Sequence, residues 1–156
     1  MAHLRYGRRM AEQLVVESLS AVDDRDAAAL AGLLGQLSST AVFDRRRLET
    51  MVSCDATELL VVRSEGGIVG MATLVVFPLP SGVRGHVEDV VVDERMRGRG
   101  VAGLLLRHMT DRATALGLRT LDLTSRPSRE SALRLYEQVG FVRRDTNVLR
   151  FTPPGP

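Results

Sequence analysis

The sequence contains no lysine and no tryptophan, and it has a single cysteine among 156 residues. Without lysine the chain offers no ε-amine for a Schiff base, and a Walker A loop, which ends in Gly-Lys-Ser/Thr, is excluded. The lone Cys54 permits neither an internal disulfide nor a Cys-x-x-Cys metal site. The three histidines lack the spacing of metal ligands, so we expect no bound metal.

Aromatic residues make up only 4% of the chain, and the formal net charge is +2, from 21 basic and 19 acidic residues. So small a charge excess and so few rings argue against a nucleic-acid surface. No apolar run approaches the length of a membrane span, and no apolar core follows the basic residues near the N-terminus, as a secretory signal would require. We therefore expect a cytoplasmic protein with no nucleic-acid or membrane partner, and a homodimer is left open.

The length predicts a single domain over residues 1–156, with disordered tails at 1–12 and 152–156. Apolar periodicity and turn residues predict strands at 14–19, 59–64, 68–77, 85–92 and 121–124, with a last strand or hairpin at 141–151. Hairpin turns are expected at 65–67 and 78–82. Helices are predicted from Asp23 or Asp24 to about residue 37, from a cap at Asp44 to about 53, between Gly98 and Gly117, and at 129–139 with Ser128 as cap.

This order places an antiparallel meander before a βαβ crossover. It predicts an α/β (α+β) fold, with a mixed, mostly antiparallel central sheet and helices on both faces. No repeat and no interdomain linker interrupts the pattern.

The most informative stretch, residues 90–106, reads V-V-V-D-E-R-M-R-G-R-G-V-A-G-L-L-L. An apolar strand enters an Arg- and Gly-rich turn that opens directly into a helix, whose free N–H groups and positive end attract phosphate. Gly98 and Gly100 allow close approach of an anion, and cationic forks come from Arg95, Arg97 and Arg99. The pattern predicts a pyrophosphate site; the alternative is an ordinary strand-to-helix turn in which the glycines only fix geometry.

Three segments in this order resemble the GNAT superfamily of N-acetyltransferases. Residues 95–102, R-M-R-G-R-G-V-A, are similar to its R/Q-x-x-G-x-G/A signature, and residues 132–141, A-L-R-L-Y-E-Q-V-G-F, to its A-x-x-L/F-Y-x-x-x-G-F segment. Residues 87–92, V-E-D-V-V-V, resemble the acidic strand that leads into the loop. The resemblance covers about residues 58–151. It implies an N-acetyltransferase that uses acetyl-CoA as co-substrate and acetylates a small-molecule or peptide amine by direct attack, without an acyl-enzyme.

The resemblance also implies roles for particular residues. The loop and the start of the helix, including Val101 and Ala102, would hold the pyrophosphate of acetyl-CoA. The pantetheine arm would pair as a pseudo-strand with the backbone of Val90, Val91 and Val92. Tyr136 would protonate the CoA sulfur, and Glu88 would take the amine proton directly or through water.

The residues themselves leave alternatives open. Tyr136 lies on a half-apolar helix face and could simply be packed, and Glu88 could be a salt-bridged carboxylate at the strand edge. On an extended strand Glu88 points opposite Asp89, so only one of them faces a cleft unless the strand bulges. Asp89 could then be structural. Arg129 stands where many family members have a cofactor-binding Asn, so it reaches a CoA phosphate or is solvated. Ser125 is a candidate cofactor contact beside it.

Two rival functions remain at this level: a non-catalytic acyl-CoA-binding module and a protein of this fold that binds a different nucleotide. Both Tyr136 and Glu88 are present, which favours the enzyme. Acceptor specificity is expected from residues 23–57 and 78–86. The acidic pair formed by Glu88 and Asp89 favours a cationic amine.

Overall fold

The computed structural model describes residues 13–155. The chain divides into two compact units, Met1–Thr124 and Ser125–Pro156. A single domain over the whole chain therefore stays a prediction. The expected tail at 1–12 lies outside the described residues, and residues 152–155 carry no regular secondary structure.

The first unit holds the sheet. Its elements are β1 (Leu14–Ser18), α1 (Asp24–Leu37), α2 (Arg45–Val52), β2 (Thr57–Ser64), β3 (Gly67–Leu79), β4 (Gly82–Val92), a short 3-10 helix (Glu94–Met96), α3 (Val101–Ala115) and β5 (Thr120–Asp122). The second unit contains α4 (Glu130–Val139). The strands lie in the order β1-β2-β3-β4-β5, and all neighbours are antiparallel except β4 and β5, which are parallel. The predicted mixed, mostly antiparallel sheet is confirmed.

Helices cover both faces of the sheet, as predicted, because successive strand residues point to opposite sides. Val61 of β2 belongs to an apolar cluster with Leu33 of α1. Its neighbour Val62 points the other way and pairs with Gly70 of β3. A side chain at Gly70 would meet Val101 Cγ1 at 2.9 Å, so the glycine lets α3 approach this face closely.

Two of the three predicted helix caps are confirmed. Asp23 accepts a hydrogen bond from the Asp26 N–H at 2.7 Å, and Asp44 accepts one from the Arg47 N–H at 3.1 Å. The cap at Ser128 is wrong, because α4 begins at Glu130 and its N-cap residue is Arg129. The Arg129 N–H donates to the Arg126 carbonyl at 3.0 Å. The chain therefore makes a turn through Pro127 before the helix starts.

The sequence misplaced two other features. The turn between β3 and β4 is shorter than residues 78–82, because the two strands pair as far as Leu79 and Gly82. The predicted strand at 141–151 is wrong, since the described residues after α4 form no strand. Four apolar side chains there are between 72% and 91% exposed, namely Val142, Val148, Leu149 and Phe151. Apolar spacing indicates a strand only where a neighbouring strand is available, and the second unit has none among its described residues.

Candidate active site

The strand that carries the predicted base has a β-bulge directly after it. Thr73 of β3 pairs with Glu88, whereas Met71 pairs with Val91. Two steps along β3 thus match three along β4, so β4 contains one extra residue. Asp89 lies at this point with φ of +52°, a left-handed conformation that aspartate tolerates better than most side chains. From the sequence, a bulge was considered only as the condition under which both Glu88 and Asp89 could face a cleft.

Glu88 and His86 lie on the same face of β4, as the alternation predicts. The distance from His86 Nδ1 to Glu88 Oε1 is 3.7 Å, and the two side chains are 28% and 54% exposed. His86 Nδ1 is itself buried and has no hydrogen-bond partner. Because of the bulge, Val91 returns to the face of Glu88 and packs in the core beside α1. The Glu88 carboxylate is therefore accessible to solvent, and it lies on the sheet face that carries the apolar core.

Beyond Glu88 one edge of β4 lies open. The parallel pairing with β5 joins Arg84 to Thr120 and ends at His86 and Asp122. No strand among residues 13–155 pairs with residues 87–92 on this side. Along the edge that faces away from β3, the backbone of Val90, Val91 and Val92 therefore has no strand partner among residues 13–155. This is the separation of strands that the sequence could not show.

The loop after β4 is built around Asp93. Its carboxylate accepts hydrogen bonds from the Arg95 N–H at 2.9 Å, from Nε at 3.0 Å and from Nη2 at 2.8 Å. These bonds from Arg95 lower the pKa of Asp93 to about 2. The Arg95 side chain is nevertheless 83% exposed, so much of its guanidinium faces solvent. The Glu94 N–H donates to Gln36 Oε1 at 2.9 Å and ties the loop to α1.

Asp93 and Gln36 are two residues of this loop region that were not predicted from the sequence. For Asp93 a signal exists, because an aspartate directly after an apolar strand and two residues before an arginine is a suitable cap for a short turn. Gln36 offers no such signal, since it meets Glu94 only across 58 residues of chain.

The two glycines of the loop leave room in front of α3. Gly98 has φ of +74° and Gly100 has φ of +81°, and a side chain at either position would meet nothing within 4 Å. Gly100 is the N-cap of α3 and makes no side-chain cap. The first helical bond runs from the Leu104 N–H to the Gly100 carbonyl at 3.0 Å. The N–H groups of the three residues between them, Val101, Ala102 and Gly103, therefore have no acceptor within the helix.

The remaining loop arginines are exposed. Arg97 Nε donates to the Val92 carbonyl at 3.4 Å, at the end of β4. Val101 is almost fully buried, so any contact with a cofactor would come from its backbone. The structure thus gathers the predicted loop residues at one helix N-terminus, and their binding role stays a prediction.

Tyr136 lies in the second unit, on α4. Its ring is buried and packs edge to face against Phe141, with ring centroids 6.2 Å apart and an angle of 69°. The Phe141 N–H donates to the Tyr136 carbonyl at 3.0 Å, past the left-handed Gly140 that ends the helix. The G-F pair of the sequence motif thus holds the tyrosine ring. In the same unit Ser125 Oγ is buried without a hydrogen-bond partner, and Arg129 is exposed.

Residues 29–141 match the model of the acetyltransferase (GNAT) family. Because this match covers more than half of the chain, the chain belongs to that family.

Individual proteins that are similar to this chain are also named acetyltransferases. Glucosamine 6-phosphate N-acetyltransferase 1 of Oryza sativa is 29% identical over 127 residues, which are 75% of each chain. Mycothiol acetyltransferase of Thermomonospora curvata is 33% identical over 104 residues, which are 64% of this chain and 33% of that protein. The chain thus spans about a third of the length of that relative. A solved acetyltransferase structure from Trypanosoma brucei superposes with a TM-score of 0.76 at 26% identity and covers 90% of this chain and 100% of its own.

These matches confirm the resemblance and the fold that the sequence predicted, and the relatives bear out acetyltransferase as the class of enzyme. Among residues 13–155, no helix has both the length and the apolar character needed to cross a membrane. In the same residues, no three His, Cys, Asp or Glu side chains are grouped as metal ligands would be.

Proposed function

We propose that this chain transfers an acetyl group from acetyl-CoA to a primary amine by direct attack. The observation that carries the proposal is the end of the β4–β5 pairing at His86. It leaves the backbone of residues 90–92 without a strand partner on one edge, next to the glycine turn that opens α3. An extended molecule with amide groups can pair with such an edge. The pantetheine arm of CoA is a molecule of this kind.

The loop fits the other end of the cofactor. A pyrophosphate needs N–H donors, positive charge and room, and the turn at Gly98 and Gly100 offers all three at the start of α3. Further positive charge comes from Arg95, Arg97 and Arg99. Bound acetyl-CoA would supply the thioester whose carbonyl carbon the amine attacks.

In the proposed reaction the amine nitrogen bonds to the carbonyl carbon and the carbon–sulfur bond breaks. The amine must lose a proton, and Glu88 accepts it directly or through a water molecule. The half-exposed position of its carboxylate, just before the bulge, supports this role. The departing thiolate needs a proton, which we assign to the Tyr136 hydroxyl on the strength of the family motif.

The acceptor is proposed to be a small or peptidic primary amine. Two of the relatives named above are, by their names, acetyltransferases of glucosamine 6-phosphate and of mycothiol. Amino sugars therefore head the panel of candidate acceptors, followed by polyamines, aminoglycosides, amino acids and peptide N-termini.

The test measures CoA thiol release from acetyl-CoA with each acceptor in turn, together with the mass of the acetylated product. We expect at least one acceptor to give turnover above the rate of thioester hydrolysis. Tight acetyl-CoA binding with no turnover on any amine would instead favour a module that only binds the cofactor.

Tyr136→Phe tests the assigned acid separately. The substitution keeps the ring and its contact with Phe141, so the fold should persist. We expect kcat to fall by about 100-fold, the common size of a general acid–base step, with acetyl-CoA affinity unchanged. A variant with nearly normal kcat would assign Tyr136 to packing alone.

A further inference from the structure

Two arginines converge on the turn between β3 and β4. Arg84 Nη2 donates to Ser81 Oγ at 3.3 Å, and Arg119 Nη1 donates to the Ser81 carbonyl. No salt bridge joins either guanidinium to a carboxylate of the described residues. Other arginines of the chain do pair with acids, among them Arg45, Arg63, Arg95 and Arg112. This turn therefore carries two positive charges without a neutralising partner.

The first of these arginines has an unsatisfied donor. Arg84 Nε is buried from solvent and has no hydrogen-bond partner. A buried donor of a charged group is rarely left unpaired in a folded protein, because burial removes it from water without replacing the bond. A ligand oxygen would satisfy this donor once the groups that cover Nε give way to it.

The second arginine is held in place by the turn. Gly82 has φ of +127°, and a side chain built on it would lie 3.3 Å from Arg119 Cδ. The stem of Arg119 thus lies against bare backbone. Its main-chain N–H also donates to the Val83 carbonyl at 2.8 Å. The two guanidiniums thus reach Ser81 from near the start of β4 and from the residue before β5, and charged donors of this kind form strong hydrogen bonds with anions.

This turn lies along the same strand as the proposed base. Arg84, His86 and Glu88 alternate along β4 and so share one face of the sheet. Four residues separate Arg84 from Glu88, which corresponds to about 13 Å along the strand. The glycine loop follows the opposite end of β4. The arginine pair is therefore a different place from the proposed pyrophosphate site.

We propose that Arg84 and Arg119 form an anion subsite for the acceptor, so that the acceptor is an extended primary amine with a carboxylate or phosphate group about 13 Å from its nitrogen. The inference rests on the proposed function, because it places the amine at Glu88. It also changes the expectation of a purely cationic amine: the acceptor carries positive charge at one end and negative charge at the other.

Peptides provide a ruler for this distance, since an extended chain spans roughly 3.3 Å per residue. The probes are pentapeptide amides with a free N-terminus, which carry glutamate, glutamine or phosphoserine at the fifth position, or glutamate at the second. For wild type we expect a KM about 10-fold lower with an anion at the fifth position than with glutamine, as one or two charge-assisted bonds imply. Comparison of the KM values of the phosphoserine and glutamate peptides shows whether the subsite prefers a phosphate or a carboxylate. Equal KM values for all four peptides would overturn the inference.

Arg84→Gln and Arg119→Gln should each remove the preference by raising KM for the fifth-position anion about 10-fold, with kcat and the acetyl-CoA dissociation constant unchanged. Arg107→Gln, an exposed arginine of α3, is the matched control and should behave as wild type. If Arg84→Gln fails to fold, the exposed Arg119 still provides the test. A rise in KM for the glutamine peptide as well would contradict a subsite for the anion.

A titration with inorganic phosphate separates this inference from the proposed function. The Arg84 Nε–H signal in a proton–nitrogen spectrum should shift and saturate in wild type and in Arg107→Gln, and should respond less in Arg119→Gln. If no amine is acetylated, the proposed function fails and this titration alone decides whether the arginines bind an anion. If amines are acetylated without anion preference and the signal does not shift, the subsite is wrong and the function stands.

Discussion

Two turns at the same end of the sheet use the same local devices for different purposes. The β2–β3 hairpin turns through Glu65, with φ of +50°, and Gly66, with φ of +81°. The segment from the β4 bulge to the start of α3, called the junction below, contains Asp89, with φ of +52°, and Gly100, with φ of +81°. In the hairpin the two residues are adjacent and reverse the chain. At the junction they are 11 positions apart, and they displace a strand and open a helix end.

The hairpin and the junction each also have an arginine whose guanidinium donates to both carboxylate oxygens of a buried aspartate. Arg63 donates to both carboxylate oxygens of Asp26, at 2.8 and 2.9 Å, and to the Gly66 carbonyl at 3.2 Å. Arg95 makes the equivalent pair with Asp93. The Arg63 side chain is 21% exposed, whereas that of Arg95 is 83% exposed. The hairpin uses its cation internally, and the junction turns its cation toward solvent, where a ligand can meet it.

The largest expected difference comes from matched glycine substitutions. Gly100→Glu should lower acetyl-CoA affinity by about 100-fold or more, because a carboxylate would lie where the pyrophosphate is proposed to bind. Gly66→Glu imposes the same left-handed backbone on a side chain in equally open space. It should cost about 1 kcal/mol of stability and leave affinity unchanged. Calorimetry with CoA on both folded variants measures the contrast, and equal affinities would remove the proposed site.

Glu88→Gln should give the next largest effect, a fall in rate of about 100-fold at neutral pH, because it keeps the shape and removes the base. The deficit should shrink as the pH rises, since more of the acceptor amine is then already neutral. Glu65→Gln in the hairpin is the control and should keep the wild-type rate.

Asp89→Asn sharpens this prediction. Asparagine also tolerates the left-handed conformation of the bulge, so only the charge changes. We expect a smaller loss of rate than with Glu88→Gln. If Asp89→Asn is the more damaging of the two in pH–rate profiles, the base is Asp89.

Substitutions of Arg63 and Arg95 should affect different properties: the first should lower stability, and the second should weaken acetyl-CoA binding. Arg63→Gln should lower the free energy of unfolding by about 1–3 kcal/mol, because it leaves the buried Asp26 carboxylate with too few donors, and kcat/KM should stay the same. Arg95→Gln should leave stability nearly unchanged and raise KM for acetyl-CoA about 10-fold. Denaturant unfolding and steady-state kinetics on both variants measure the stability and the KM for acetyl-CoA. A loss of stability in Arg95→Gln similar to that in Arg63→Gln would make both pairs structural.

The smallest expected effect is a change in stability at acidic pH. Arg63 lowers the pKa of Asp26, and Arg95 lowers that of Asp93 to about 2. A carboxyl whose pKa is lower in the folded than in the unfolded state stabilises the fold above its unfolded pKa, near 4, and this contribution is lost as the pH falls toward 2. The stability difference between wild type and Arg63→Gln should therefore narrow as the pH falls below about 4. A difference that stays constant over this range, measured by denaturant unfolding, would show that the ion pair is not its source.

Local patterns accounted for the parts of the fold that depend on neighbours in sequence. The caps at Asp23 and Asp44, the helix between Gly98 and Gly117 and the turn at Gly66 follow from residue type and spacing, and all are confirmed. The strand predicted at 141–151 failed because pairing needs a partner strand, which spacing cannot supply. The bulge at Asp89 was not predicted for a related reason, because it becomes visible only when β4 is aligned with β3.

The sequence by itself determined the family, the order of the elements and the loop whose glycines and arginines suit a phosphate, because these depend on residue identity at fixed spacing. Tertiary structure alone decided where β4 parts from β5 and which nitrogens of Arg84 and His86 are left without a hydrogen-bond partner. It also decided that Arg84 and Arg119 meet at Ser81, although they are 35 positions apart in the chain. Such contacts arise from strand register and burial. These properties belong to pairs of segments, and no single stretch of sequence encodes them.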